Sequence, residues 1–134
     1  MSSFAPSGKG IVVRQAHFPG RAPIDAYGNG GFRFADMSHR GSLLLLPSGI
    51  YGWEMEETEP LTVAKFARVL DDAAEIEVLL VGTGKQLRPL PAELKAVLKA
   101  RGIASDPMGT GAAVRTFNIM LAEQRAVAAA VIAV

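Results

Sequence analysis

Cysteine is absent from the 134 residues, and histidine occurs only at His17 and His39. A chain without thiols has no disulfide framework, no cysteine-ligated zinc or iron–sulfur centre and no cysteine nucleophile. With two histidines, any metal site would lean on carboxylates, and no metal or other cofactor is expected. Long apolar runs are missing as well: the longest, residues 126–134, has nine residues, whereas a membrane-spanning helix needs about 20. Nor is there an excess of one charge. Fourteen basic and 13 acidic residues leave a net charge of +1, too little for the basic surface from which counterion release draws nucleic-acid affinity. No nucleic-acid partner and no membrane span are therefore expected.

What is present suits one packed domain, since 49% of the residues are hydrophobic and the length matches a single core. The first residues carry no apolar signal segment. Residues 1–24 lack acids and include Lys9, Arg14 and Arg21, as mitochondrial presequences do, but Pro6, Gly8, Gly10, Pro19, Gly20 and Pro23 oppose an amphipathic helix. The expectation is a loose arm over residues 1–23, with one short strand at 11–13, followed by a single domain over 24–134 in the bacterial cytoplasm. Charge is unevenly placed within the chain: net +3 over 1–42, −6 over 53–77, +4 over 84–101 and zero over 102–134. The acidic run Glu54, Glu56, Glu57 and Glu59 precedes an expected helix, whose N-terminal dipole favours anions.

The first half has strand periodicity. Segments 24–27 and 32–35 flank the turn Gly28-Asn29-Gly30-Gly31, His39-Arg40-Gly41 makes the next turn, and residues 43–46 form an apolar run closed by Pro47, as in a strand buried on both faces. Ile50, Tyr51, Trp53 and Met55 extend the meander. The second half alternates. Leu61, Ala64, Phe66, Val69, Leu70 and Ala73 predict a helix over 61–73; residues 77–81 predict a strand; Pro91 opens a helix ending near Arg101 at Gly102. A strand at 103–106 and a helix carrying Ala113, Phe117, Met120 and Leu121 on its inner side follow. The last run, 126–134, mixes helix-favouring alanine with strand-favouring valine and isoleucine, and is read as the strand that completes a β-α-β-α-β unit. That alternation implies a mainly parallel sheet covered by helices.

Two Gly-Thr-Gly turns, Gly82-Thr83-Gly84 and Gly109-Thr110-Gly111, follow strands of the same parallel set. They should lie at the carboxyl edge of the sheet, where open α/β folds place ligand crevices. The second opens onto a helix, so Thr110 could cap it, its free N–H groups could face an anion, and Arg115 could add a positive charge. The competing interpretation is that such turns simply lead strands out of the sheet. Gly82-Thr83-Gly84-Lys85-Gln86-Leu87 lacks the third glycine of a dinucleotide fingerprint, and no Walker-type Gly-Lys-Ser/Thr occurs. Asn118 shares a helix face with Arg115, Ala122 and Arg125, which is either a solvated face or a polar pocket wall. Glu123 can pair locally with Arg125. His39 fits a surface turn histidine without a carboxylate partner. Ser42 and Ser48 lack the Gly-x-Ser-x-Gly setting of an activated nucleophile. Tyr51 and Trp53 are either core or a partner surface. No acid–base pair or triad emerges.

Together, Val81-Gly82-Thr83-Gly84 and the stretch from Thr110 through Arg115-Thr116-Phe117-Asn118 to Glu123 and Arg125 resemble a small α/β family that includes mitochondrial NADH dehydrogenase (complex I) assembly factor 3. Ile24, Tyr27, Gly31-Phe32, Gly41-Ser42, Leu45-Leu46-Pro47 and Trp53 fit it in the first half. Gly109 stands where the family commonly has Asp, and Gln124 where it often has Gly. The resemblance covers about residues 24–133. It implies a three-layer α/β fold with a mixed central sheet and an added antiparallel portion. It also implies a non-enzymatic accessory role through protein binding, with respiratory complex I subunits or a fellow assembly factor as partners and any inner-membrane association peripheral. The alternative function is a small-molecule or anion-binding protein, with weak enzymatic activity at most, whose crevice uses Gly82, Thr83, Gly84, Thr110, Arg115, Thr116 and Asn118.

Overall fold

The structure is a computed structural model that describes residues 18–134; the strand expected at 11–13 and His17 lie outside the described residues. The chain first builds a three-stranded antiparallel sheet from β1 (Ala26–Gly28), β2 (Gly31–Phe34) and β3 (Met37–Arg40). The β1–β2 hairpin closes on Asn29 and Gly30, both at positive φ, with Gly28 paired to Gly31. This is the two-residue turn that Asn-Gly favours. The second hairpin departs from the expectation. Its turn is Ala35-Asp36, at φ 48° and 62°, so His39 and Arg40 stand in strand β3 and not in a turn. Ala-Asp gives a weak turn signal because a Cβ at positive φ costs about 1–2 kcal/mol. Packing of Phe32 and Phe34, both buried, fixes the register that forces the turn there. The bend at 41 is real: Gly41, at φ 103°, carries the chain out of this sheet into the next.

The central sheet has five strands in the order β5-β4-β8-β6-β7. β4 (Ser42–Leu46) pairs antiparallel with β5 (Gly49–Trp53) and with β8 (Val127–Val131). β6 (Val78–Gly82) pairs parallel with β7 (Ala104–Met108) and with β8. The sheet is therefore mixed, and the β-α-β-α-β unit forms its parallel half. Both edges are blunted. Phe18 bridges Ile50 on β5, its carbonyl accepting the Ile50 N–H at 3.0 Å, and Pro107 removes a donor from β7.

Three layers result. α2 (Ala92–Ala100) follows Pro91 and ends before Gly102 at φ 81°. It packs Leu94 and Leu98 against Leu44, Leu46, Leu79, Val81, Ala128 and Ala130 on one face of the sheet. α3 (Thr110–Ala122) places Ala113, Val114 and Phe117 on the other face with Leu43, Leu45, Leu80, Ala129 and Val131, beside Phe32 and Phe34 of the small sheet. Leu43–Leu46 and β8 thus alternate between two cores, which is why neither stretch shows polar alternation. The helix expected over 61–73 is shorter. A 3-10 turn, Val63–Phe66, precedes a five-residue α1 (Ala67–Asp71), and a second 3-10 turn, Ala73–Glu75, follows. Trp53 Nε1 donates to the Lys65 carbonyl at 2.8 Å, drawing on an acceptor that a continuous helix would use, and Phe66 leaves helical geometry at φ −108°, ψ 17°.

Candidate functional site

The parallel register places Gly82 beside both Met108 and Val131, so the two Gly-Thr-Gly turns leave the same carboxyl edge of the sheet and meet. Thr110, fully buried, joins them. Its N–H donates to the Gly84 carbonyl at 2.8 Å, while its hydroxyl accepts the Gly84 N–H at 3.0 Å and donates to the Ile132 carbonyl at 2.7 Å. Gly109, not Thr110, is the N-cap of α3; the threonine hydroxyl serves the neighbouring turn instead of its own helix. Gly82 is tightly enclosed, since a Cβ there would sit 3.0 Å from Thr110 Cα and 3.1 Å from Val131 Cγ1. Thr83 is equally engaged. Its N–H reaches the Met108 carbonyl at 2.8 Å, and its hydroxyl donates to Gln86 at 2.7 Å and accepts the Arg88 N–H at 2.9 Å.

An anion does lie at the first turn, and the chain supplies it. Glu57 Oε2 accepts the Lys85 N–H at 2.6 Å, and the same side chain covers the face of Gly84, itself at φ 105°. The acidic run therefore serves the turn more than a helix dipole. Beside it, Glu59 folds back on Glu56, accepting its N–H at 2.8 Å, and meets Lys65 Nζ at 3.3 Å. The Glu56 N–H first, and then Lys65, hold the Glu59 carboxyl below its ordinary range. Arg88 Nη1 donates to the Glu59 carbonyl at 3.0 Å, while Arg88 Nε and Nη2 are buried without a hydrogen-bond partner.

The other candidates separate from this junction. Asn118 is a clamp on the incoming chain: its Oδ1 accepts the Ile24 N–H and its Nδ2 donates to the Ile24 carbonyl, both at 2.9 Å. Thr116 is half-buried beside it on α3, and Arg115 is exposed one turn into the helix, near Gly111. Tyr27 Oη covers Gly111, where a Cβ would overlap it. Glu123 and Arg125 form the expected local pair at 3.7 Å. Trp53 is core: it is 7% exposed and stands edge-to-face on Phe66, with ring centroids 5.4 Å apart. That burial removes it from the expected partner surface. Tyr51 is half-buried, with the Arg68 guanidinium 4.3 Å above its ring and its hydroxyl 2.7 Å from Ser48 Oγ. Ser42 is structural, donating to the Met55 carbonyl and accepting the Ala133 N–H.

His39 is buried, its Nε2 3.1 Å from the Ser42 carbonyl. Desolvation lowers its pKa, and the Ser42 bond opposes that shift only partly. Among the described residues no group of three His, Asp or Glu side chains is arranged to hold a metal ion, and no helix is long and apolar enough to cross a membrane. Surface cavities open elsewhere among the described residues. One, of about 390 Å³, lies on the three-stranded sheet, and one, of about 560 Å³, lies along Trp53, Glu54, Glu56, Glu59 and Lys65. Neither is lined by the Gly-Thr-Gly turns. The structural roles of Glu57 and Asn118 carried no local sequence signal, because both partners lie far along the chain.

A family model described as a protein of unknown function, DUF498/DUF598, matches residues 24–132. An uncharacterized protein of Rhodobacter capsulatus is 35% identical over 122 residues, covering 91% of this chain and 93% of that protein. NADH dehydrogenase [ubiquinone] 1 alpha subcomplex assembly factor 3 of mouse is 30% identical over 122 residues, and the chain spans 66% of its length. A crystal structure from Bartonella henselae, described as an outer membrane protein, superposes with a TM-score of 0.84 at 62% identity, over 87% of this chain and 98% of that one. With that match running over residues 24–132, most of its length, the chain belongs to the DUF498/DUF598 family.

Proposed function

We propose that this chain is a non-enzymatic accessory protein that acts by binding other proteins, as an assembly factor for respiratory complex I. Its partners are complex I subunits or a fellow assembly factor. It works from the cytoplasm and reaches the inner membrane peripherally, through those partners. The observation that carries this reading is the similarity to the mouse complex I assembly factor along 91% of the chain. The use of polar groups at the glycine turns supports it: Thr83, Thr110 and Glu57 spend their hydrogen bonds on the fold, whereas a catalytic site keeps such groups free for a substrate. Affinity capture from the native host at native expression should recover complex I subunits or an assembly factor, and a deletion strain should contain less assembled complex I. Capture without any such protein, or normal complex I in the deletion strain, would overturn the proposal.

A second reading rests on Arg115, which is exposed near the N-terminus of the 13-residue α3, where the helix dipole favours anions. Under it, the start of α3 at Thr110 and Arg115, beside the turn of Gly82, Thr83 and Gly84, binds an anion or small molecule. Thr116 and Asn118 stay outside the contact, because the Asn118 amide is engaged by Ile24. Titration with phosphate, nucleotides and metabolites should then shift amides at 82–85 and 109–115; silence across a broad library removes this reading.

A further inference from the structure

The cavity of about 390 Å³ on the three-stranded sheet owes its shape to register. Two rows of cross-strand neighbours share its face, Ala26–Arg33–Ser38 and Gly28–Gly31–Arg40. Ala26, Gly28 and Gly31 raise almost nothing above the strands, and a Cβ at Gly31 would collide with the His39 carbonyl. Phe32 and His39, in the row between, are 2% and 8% exposed and belong to the opposite face, so the floor there is main chain. The walls are Arg33 and Arg40, both exposed and diagonal neighbours on adjacent strands. Side chains in that relation approach within about 7–8 Å, and like charges so placed repel.

Among the described residues no carboxylate pairs with either. The ion pairs among the described residues are Lys65–Glu59 and Arg125–Glu123, and residues 1–17 contain neither Asp nor Glu. Arg33 Nη1 meets only the Ser38 hydroxyl, at 3.5 Å. Each guanidinium offers a planar fork of donors suited to oxyanions, and the volume falls in the range of small-molecule sites, about 300–1,000 Å³.

We propose that this hollow is a binding site for a small phosphate monoester, its dianionic phosphoryl group held between Arg33 and Arg40 with the Ser38 hydroxyl as a further donor. Two cations lining one hollow match a dianion, whereas a single carboxylate leaves one charge unbalanced. The test is an amide-resolved titration of the full chain with glycerol 3-phosphate and inorganic phosphate, using acetate and glycerol at matched ionic strength as controls. Saturable shifts should be confined to residues 26–33 and 37–41, with glycerol 3-phosphate binding at least as tightly as inorganic phosphate. An Arg33→Gln/Arg40→Gln double variant should bind at least tenfold more weakly while keeping its urea midpoint, because both side chains are exposed. If the double variant does not fold, Arg40→Gln alone should weaken binding at least threefold. Shifts scattered over the surface, acetate equalling the phosphates, tighter binding of free phosphate than of the ester, or undiminished affinity in the folded variant would each overturn the proposal. The site stands apart from complex I capture, so either idea can fail without the other.

Discussion

Asn118 and Gln124 sit on or just beyond one helix, and each does a job that only one geometry explains. Asn118 presents an amide to both backbone groups of Ile24, which is buried, so it replaces a strand neighbour for a residue that has none. Asn118→Ala leaves that N–H and carbonyl unmatched and should cost about 1–3 kcal/mol, read as a lower urea midpoint; a change within error would show that water replaces the amide freely. Gln124 closes α3. Its N–H reaches the Leu121 carbonyl, the Arg125 N–H reaches Met120, and Gln124 itself adopts φ 61°, the left-handed position that ends many helices. Glycine bears no Cβ penalty there, so Gln124→Gly should raise stability by about 1 kcal/mol, measured by thermal and urea unfolding. The unusual residue at this break was visible in the sequence. Asn118's partner was not, because Ile24 lies 94 residues away.

At the scale of elements, the strands of the central sheet were more legible than the first helical segment or the Ala35-Asp36 turn that leads into β3. The run Leu43–Leu46 is buried on both faces, and uninterrupted apolarity announces that. The alanine-rich last run suits helix or strand by composition, and pairing with β4 and β6 makes it a strand. The segment 61–73 has helical spacing, yet Trp53 engages the Lys65 carbonyl and Phe66 must reach the core, so the regular helix shrinks to Ala67–Asp71. The two Gly-Thr-Gly turns were legible as a pair at one sheet edge, while their chemistry depended on side chains arriving from elsewhere. Thr110 is the joint between them. Thr110→Val preserves shape but strips the hydroxyl from the Gly84 N–H and Ile132 carbonyl; it should destabilise the chain by about 1–3 kcal/mol, whereas Thr110→Ser should retain most of the stability. Equal unfolding midpoints for the valine and serine variants would deny the hydroxyl this role.

For the whole molecule, folding buries His39 between two sheets and lowers its pKa, chiefly by desolvation. The unfolded side chain titrates near its ordinary value of 6.5, so below that pH the unfolded state takes up a proton that the folded state resists. The associated stability is complete above that pH and is lost progressively as pH falls towards the folded-state pKa. Urea midpoints should therefore drop more between pH 7.5 and 5 for the unmodified chain than for His39→Gln; identical drops would remove His39 from the acid response. Composition and periodicity determined the class of the protein: an α/β chain, no cysteine chemistry, and a β-α-β-α-β unit with parallel strands. Those properties depend on residues close in the chain or on sums over it. Tertiary structure decided which polar groups remain available. Glu57 fills the first glycine turn, Thr110 ties the second to it, and Trp53 enters the core, while strand register sets Arg33 and Arg40 around a bare floor. Each of these depends on contacts between distant segments, where burial and hydrogen bonding settle whether a side chain supports the fold or faces a ligand.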